Sequence, residues 1–320
     1  MNSYASFINT NQYKLFSEFC DACASYKYIG ICYGPPGVGK TLSAHRYASW
    51  DIFSGTEFYP SDSQHHEYIK ASRMSEGTAV FYTPPVAVQA RTVYREIEAL
   101  RERIRISSNE MFELNTRREE LLNNTKEKRE KEREQFEALQ IGKVRNIGSY
   151  SSCAEYETSP TVYDIQTEST ALRRKIKDPT QLIIVDETER LSAASLDQIR
   201  YIYDEGGVGV VLIGMPGLKK RLARYAQLSS RVGFVHKFDP LNADQVRDIC
   251  KELCPSYFKT QNGLISADAM TAIIRMTRGN FRLLERLLSQ IERVLEINKL
   301  SEITLEVVEV ARENLVIGAA

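Results

Sequence analysis

The chain has 320 residues, enough for one large α/β domain and a smaller companion. Its 42% hydrophobic and 26% charged residues are ordinary for a globular protein, and 42 basic residues balance 42 acidic ones. The neutral sum excludes a global electrostatic pull toward nucleic acid or membrane and leaves a local basic face open. No run approaches the roughly 18 apolar residues of a membrane span. Met1 to Phe19 mixes Asn, Ser, Tyr, Lys and Glu, without the apolar core of a signal peptide. The expected compartment is the cytoplasm.

Residues 1–27 read as polar loop and helix. Tyr28-Ile29-Gly30-Ile31-Cys32-Tyr33 is a short β-rich run directly before a glycine loop, and Thr41 to Trp50 reads as a helix. Ala79 to Tyr82 is a second strand, closed by Thr83-Pro84-Pro85. From Val86 to Ile141 there is neither Gly nor Pro. Ile97, Leu100, Ile104, Met111, Leu114 and Leu121 fall 3, 4, 7, 3 and 7 residues apart, with a gap at Ser107, which predicts a long helix with a coiled-coil seam. Arg117 to Glu137 is nearly all charged with interleaved signs, as on a solvated helix face or a protruding arm that meets a partner. Gly142 to Ser169 reads as an irregular return loop.

Gln181 to Val185 is a continuous apolar run, as in a buried parallel strand. Val208 to Gly214 is another, and Val232 to Phe238 completes the sheet. Beyond Asp239-Pro240 the periodicity is helical, most plainly over Ala267 to Met276, Phe281 to Ile297 and Leu305 to Leu315. The expected division is an α/β domain over residues 1–240, carrying a charged helical insertion over about 96–177, and a helical domain over 241–320. Cys20 with Cys23 and Cys250 with Cys254 would hold one zinc only if the two regions met. Reduced core thiols are the plainer expectation.

The chemistry is carried by Gly34-Pro35-Pro36-Gly37-Val38-Gly39-Lys40-Thr41, a full match to the Walker A pattern between a strand and a helix. Its glycines let the backbone wrap phosphates, and its N–H groups with the helix N-terminus form an anion nest. Lys40 supplies positive charge to the outer phosphates, and Thr41 offers a hydroxyl ligand to Mg²⁺. Asp186 and Glu187 follow an apolar strand at once. Asp186 is expected to hold Mg²⁺ through water, and Glu187 to act as the base for an attacking water. The expected ligand is ATP.

The order of these motifs resembles the AAA+ ATPases, and more narrowly the transposition regulators of the TnsC, TniB and MuB type. The resemblance rests on Gly34 to Thr41, Leu182 to Leu191, Val210 to Leu218, Arg221 to Arg224, Ser229 to Val232 and Arg278 to Arg282. It spans about residues 25–95 and 178–315. It implies a three-layer parallel sheet with a C-terminal helical lid. It implies that Arg231 is an arginine finger reaching the γ-phosphate of a neighbouring subunit in a homo-oligomeric ring or filament. Arg282 would be the lid arginine that touches phosphate. The resemblance further implies ATP-driven assembly on double-stranded DNA and recruitment of a transposase or target-selection protein. The loop after Tyr82, with Gln89 and Arg91, is the nearest candidate for the DNA contact, and an ordinary helix N-terminus fits those two residues equally.

Two departures stand out. Met215 occupies the place where a polar residue at the end of the fourth strand would position water, which implies slow hydrolysis. The insertion near 96–177 is longer and more charged than in those regulators, and its partner is open. A replication initiator, a helicase loader, and a signalling or defence ATPase remain the other readings of the same motifs.

Overall fold

The computed structural model describes residues 7–50, 78–106, 108, 178–253, 265–313 and 315. The chain divides into two units, one of Met1–Glu57, Thr78–Leu100 and Thr180–Ala320, the other of Phe58–Gly77 and Arg101–Pro179.

The first unit is built on a five-stranded parallel sheet in the order β2-β3-β4-β1-β5. Its strands are β1 (Ile29–Tyr33), β2 (Ala79–Tyr82), β3 (Leu182–Val185), β4 (Gly209–Gly214) and β5 (Val232–Lys237). Burial explains the composition. Every residue of β3 and β4 is buried, and both read as unbroken apolar runs, because a central parallel strand is covered on both faces. β5 lies at the sheet edge, and its residues alternate between half-buried and exposed. The register sets Ile29 beside Val210 and Val232, and Tyr33 beside Gly214 and Lys237. The C-terminal ends of β1 and β4 therefore open at one edge of the sheet, where ligands bind in open α/β sheets.

Helix α1 (Asn11–Tyr26) is capped by the Thr10 hydroxyl, which accepts from the Tyr13 amide at 3.2 Å. It lays Phe16, Phe19, Cys20 and Cys23 into a core shared with Cys32, Ala44, Phe81, Val211 and Phe238. Helix α2 (Lys40–Tyr47) follows the glycine loop. Helix α3 (Ala193–Gly206) precedes β4 and ends at Gly207 in the left-handed conformation. The short helices α4 (Leu218–Leu222) and α5 (Ala226–Ser229) connect β4 to β5.

The C-terminal helices α6 (Ala243–Leu253), α7 (Ala267–Thr277), α8 (Phe281–Asn298) and α9 (Leu305–Glu313) have a core of their own. Leu284, Leu287, Leu288, Ile291 and Leu295 form one stripe of α8 and meet Val246, Ile273 and Val308. Each fully buried side chain of this kind contributes about 1.5–3 kcal/mol, so the stripe outweighs any single cap.

Four of the six cysteines lie among the described residues. Cys20, Cys23 and Cys32 are free thiols in the sheet core, and Cys250 is a free thiol in the helical core. Burial pushes the Cys23 and Cys250 thiols up to about 12. Among the described residues no cluster of His, Cys, Asp and Glu could hold a metal ion, and Cys254 lies outside them.

Residues 90–106 are helical, as the absence of Gly and Pro predicts. Within the second unit, Arg101 pairs with Asp178 at 2.5 Å. Most of the predicted arm, with Met111, Leu114, Leu121, the charged run to Glu137 and the return loop, lies outside the described residues. No helix among the described residues is long and apolar enough to cross a membrane.

Candidate phosphate-binding site

Strand β1 ends at Tyr33 and helix α2 begins at Lys40, so Gly34 to Gly39 form the loop between them. Gly37 and Gly39 have φ of 78° and 104°, a backbone region that L side chains rarely adopt. The chain thereby turns the start of α2 toward the strand ends. Lys40 is only 9% exposed. Its Nζ donates to the carbonyls of Gly34 and Pro35, both at 2.7 Å. Burial lowers the Lys40 pKa, the charges of Asp186 and Glu189 raise it, and that of Arg282 lowers it. Lys40, Asp186, Glu189 and Arg282, from distant parts of the chain, thus share one electrostatic site.

The Thr41 hydroxyl donates to Asp186 Oδ2 at 2.6 Å. Asp186 is 3% exposed, and its Oδ1 accepts from the Glu187 amide at 2.8 Å. The loop after β1 meets the end of β3 across the end of β4, where the Gly34 amide donates to the Gly214 carbonyl at 3.3 Å. Paired oxygen donors from Thr41 and Asp186 suit a hard divalent cation such as Mg²⁺.

The acidic strand end turns sharply. Glu187 has φ 49° and ψ 40°, a left-handed conformation for a residue that is not glycine. Such strain concentrates where a side chain must be aimed. The Glu187 carboxylate pairs with Arg190 at 3.1 Å, and Arg190 also donates to the Pro84 carbonyl at 3.1 Å. The next residues, Thr188–Arg190, form a single 3-10 turn. Arg221 braces that turn by donating to the carbonyls of Thr188, at 3.3 Å, and Leu191. Glu189 lies against the end of β4, its carboxylate over Gly214. Met215 follows that strand and is 39% exposed.

The helical region grips the loop directly. Asn280 caps α8 by accepting from the Leu283 amide at 3.2 Å, while its Nδ2 donates to the Pro36 carbonyl at 2.9 Å. The Arg282 amide donates to the Gly37 carbonyl at 3.0 Å. Any change in the angle of α8 must therefore pull on the loop. A shallow, partly open apolar hollow adjoins it, lined by Phe7, Ile8, Val38, Leu42, Phe238 and Phe281 among others.

Gly34 to Thr41, Asp186 and Arg282 are thus brought together. Glu187 is adjacent and tied to Arg190. Arg231 stands apart. Its carbonyl accepts from the Ile29 amide at the opposite end of β1, roughly 15 Å of strand away from the loop. Its guanidinium pairs with Asp204 at 2.7 Å. Gln89 and Arg91 sit at the start of a helix, where the Gln89 carbonyl accepts from the Thr92 and Val93 amides. Sequence reasoning missed Asn280, Glu189 and Arg190 as neighbours of the site. Asn280 alone had a legible signal, a capping residue directly before an amphipathic run.

Comparison with known proteins decides the family. The AAA domain family matches residues 23–222, a stretch that holds the loop, the acidic turn and β4. The chain belongs to the AAA family. This AAA protein is 34% identical over 332 aligned positions to a potential ATP-binding protein of Staphylococcus aureus, covering 99% of each chain. It is 37% identical over 73 positions to the Mu-like prophage FluMu DNA transposition protein B of Haemophilus influenzae, across 21% of this chain and 25% of that one. Among solved structures, Cdc6p of Pyrobaculum aerophilum has the same fold, with a TM-score of 0.51 and 14% identity over 100% of this chain and 71% of that one.

Proposed function

We propose that this AAA protein is an ATP-hydrolysing switch that oligomerises on double-stranded DNA and regulates target selection or transposase recruitment in DNA transposition. The observation that carries the reading is the split between two charges. Lys40 is buried in the loop, whereas Arg231 stands at the far end of β1, outside its own phosphate site. The likeness to a DNA transposition protein over 73 positions supports the DNA half of the reading.

Gly34, Pro35, Pro36, Gly37, Val38 and Gly39 present backbone amides to the phosphates at the start of α2. Lys40 places its charge on the outer phosphates. Thr41 and Asp186 would hold Mg²⁺, whose chemistry is to neutralise phosphate charge. Glu187 takes a proton from the attacking water as the water oxygen bonds to the γ-phosphorus. The bond to the bridging oxygen breaks, and ADP leaves with its electron pair. Arg231 of the neighbouring copy stabilises the developing charge, so turnover depends on assembly. Arg282 touches phosphate from the helical side. The two hydrogen bonds to Pro36 and Gly37 support a role for residues 241–320 as a lid on the domain of residues 1–240. The apolar cavity beside Phe238 and Phe281 takes the base.

The charged insertion over about 96–177 is the partner-binding arm, for a transposase, a target-selection protein or another copy of the chain. Gln89 and Arg91 face the DNA, and the protein works in the cytoplasm without a membrane attachment.

Fluorescence anisotropy of labelled duplex DNA tests the reading, with ATP, a non-hydrolysable analogue, ADP and no nucleotide. Binding is expected only with a triphosphate, and the salt dependence of that binding reports the phosphate contacts. Equal binding in every nucleotide state, or none in any, removes the DNA half of the proposal.

A further inference from the structure

Met215 leaves the end of β4 without a polar side chain of its own, and Glu189 fills that place. A Cβ added to Gly214 would lie 2.4 Å from Glu189 Oε2 and 3.0 Å from the Leu218 side chain. The carboxylate therefore rests directly on the Cα of Gly214, and the absence of a side chain there is what admits it. The same glycine accepts the amide of Gly34, the first residue of the phosphate loop. The charge of Glu189 acts on Lys40, as does that of Asp186. Glu187, the other carboxylate of the turn, is paired with Arg190. The brace from Arg221 to the carbonyls of Thr188 and Leu191 fixes the backbone on either side of Glu189.

We infer that Glu189 is the residue that orients the attacking water at the end of β4, in the position that Met215 cannot serve. A carboxylate accepts hydrogen bonds from water, so Glu189 aligns the oxygen for attack while Glu187 receives the proton. Glu189 gains no proton in the step and forms no covalent bond. The inference rests on the ATP-hydrolysis reading above and deepens it.

Two variants probe the role from different sides. Glu189→Ala removes the carboxylate. Gly214→Ala leaves it in the chain but displaces it, because the closest atom is the far end of a flexible side chain, while the buried Leu218 side chain must give slightly. Three quantities are read on the full chain: ATP affinity from a fluorescent analogue, affinity for ADP with fluoroaluminate as a transition-state mimic, and the steady-state rate with duplex DNA. Both variants are expected to keep ATP affinity within about twofold and to lose about tenfold to a hundredfold in both rate and fluoroaluminate affinity. Glu189→Gln, which still accepts a hydrogen bond, falls between them and the unmodified chain. Unchanged fluoroaluminate affinity and rate in Glu189→Ala, with Glu187→Gln inactive, overturn the role of Glu189 and leave the ATPase reading standing. Loss in Gly214→Ala but not in Glu189→Ala overturns it as well. An unmodified chain that binds ATP but never turns over overturns both readings.

Discussion

Lys40→Ala loses at least a hundredfold in ATP affinity, the largest effect on binding that the site predicts. The Nζ is buried and spends two of its hydrogen bonds on the carbonyls of Gly34 and Pro35. Those bonds aim the ammonium at the mouth of the loop. Charge-assisted hydrogen bonds contribute about 1.5–3 kcal/mol each, and a hundredfold loss corresponds to about 2.7 kcal/mol, so one lost phosphate contact suffices. The fold itself is expected to survive. Burial of the lysine charge is already costly, as its lowered pKa records, and the loop retains its ties to Gly214, Asn280 and Arg282. Titration of a fluorescent ATP analogue beside a thermal melt separates the two outcomes. Unaltered affinity with an intact melt contradicts the assigned role.

Arg231→Ala is expected to keep ATP affinity and lose about a thousandfold in hydrolysis, the usual scale for an arginine that serves a phosphoryl transfer in trans. Arg231 is not part of its own phosphate site, so binding has no reason to change. Nor does folding. The ion pair with Asp204 is exposed, such pairs contribute little, and Asp204 keeps Arg200 at 3.3 Å. A mixing experiment distinguishes a trans role from a cis one. Glu187→Gln and Arg231→Ala chains are each inactive alone, yet a mixture contains sites with an intact Glu187 facing an intact Arg231. Recovered hydrolysis on mixing is the expected result, and a mixture as inactive as its parts contradicts it.

Much of this architecture was legible in the chain. Leu182 to Val185 and Val210 to Ile213 read as strands because central parallel strands have no polar face to betray. The loop from Gly34 to Thr41 was legible because phosphate wrapping demands glycine at fixed positions, and Gly37 and Gly39 indeed adopt positive φ. The C-terminal helices were legible from their apolar stripes. What escaped were contacts between segments far apart in sequence. Asn280 meets Pro36 across 244 positions, and no periodicity encodes that meeting. Nothing in the sequence sets Glu189 apart from the acids before it. Its direction is set by the left-handed Glu187, the brace from Arg221 and the bare Cα of Gly214, which only the folded chain brings together. Glu187 was legible as an acid after a strand, but its pairing with Arg190 was not.

The central claim is that hydrolysis belongs to an assembly rather than to a single chain. Turnover per chain, measured against protein concentration with and without duplex DNA, tests it most directly. The expected rate per chain climbs with concentration, reaches its plateau at lower concentration when DNA is present, and stays flat near zero in Arg231→Ala. A rate per chain that is constant from nanomolar to micromolar protein, unchanged by DNA and by loss of Arg231, would contradict it.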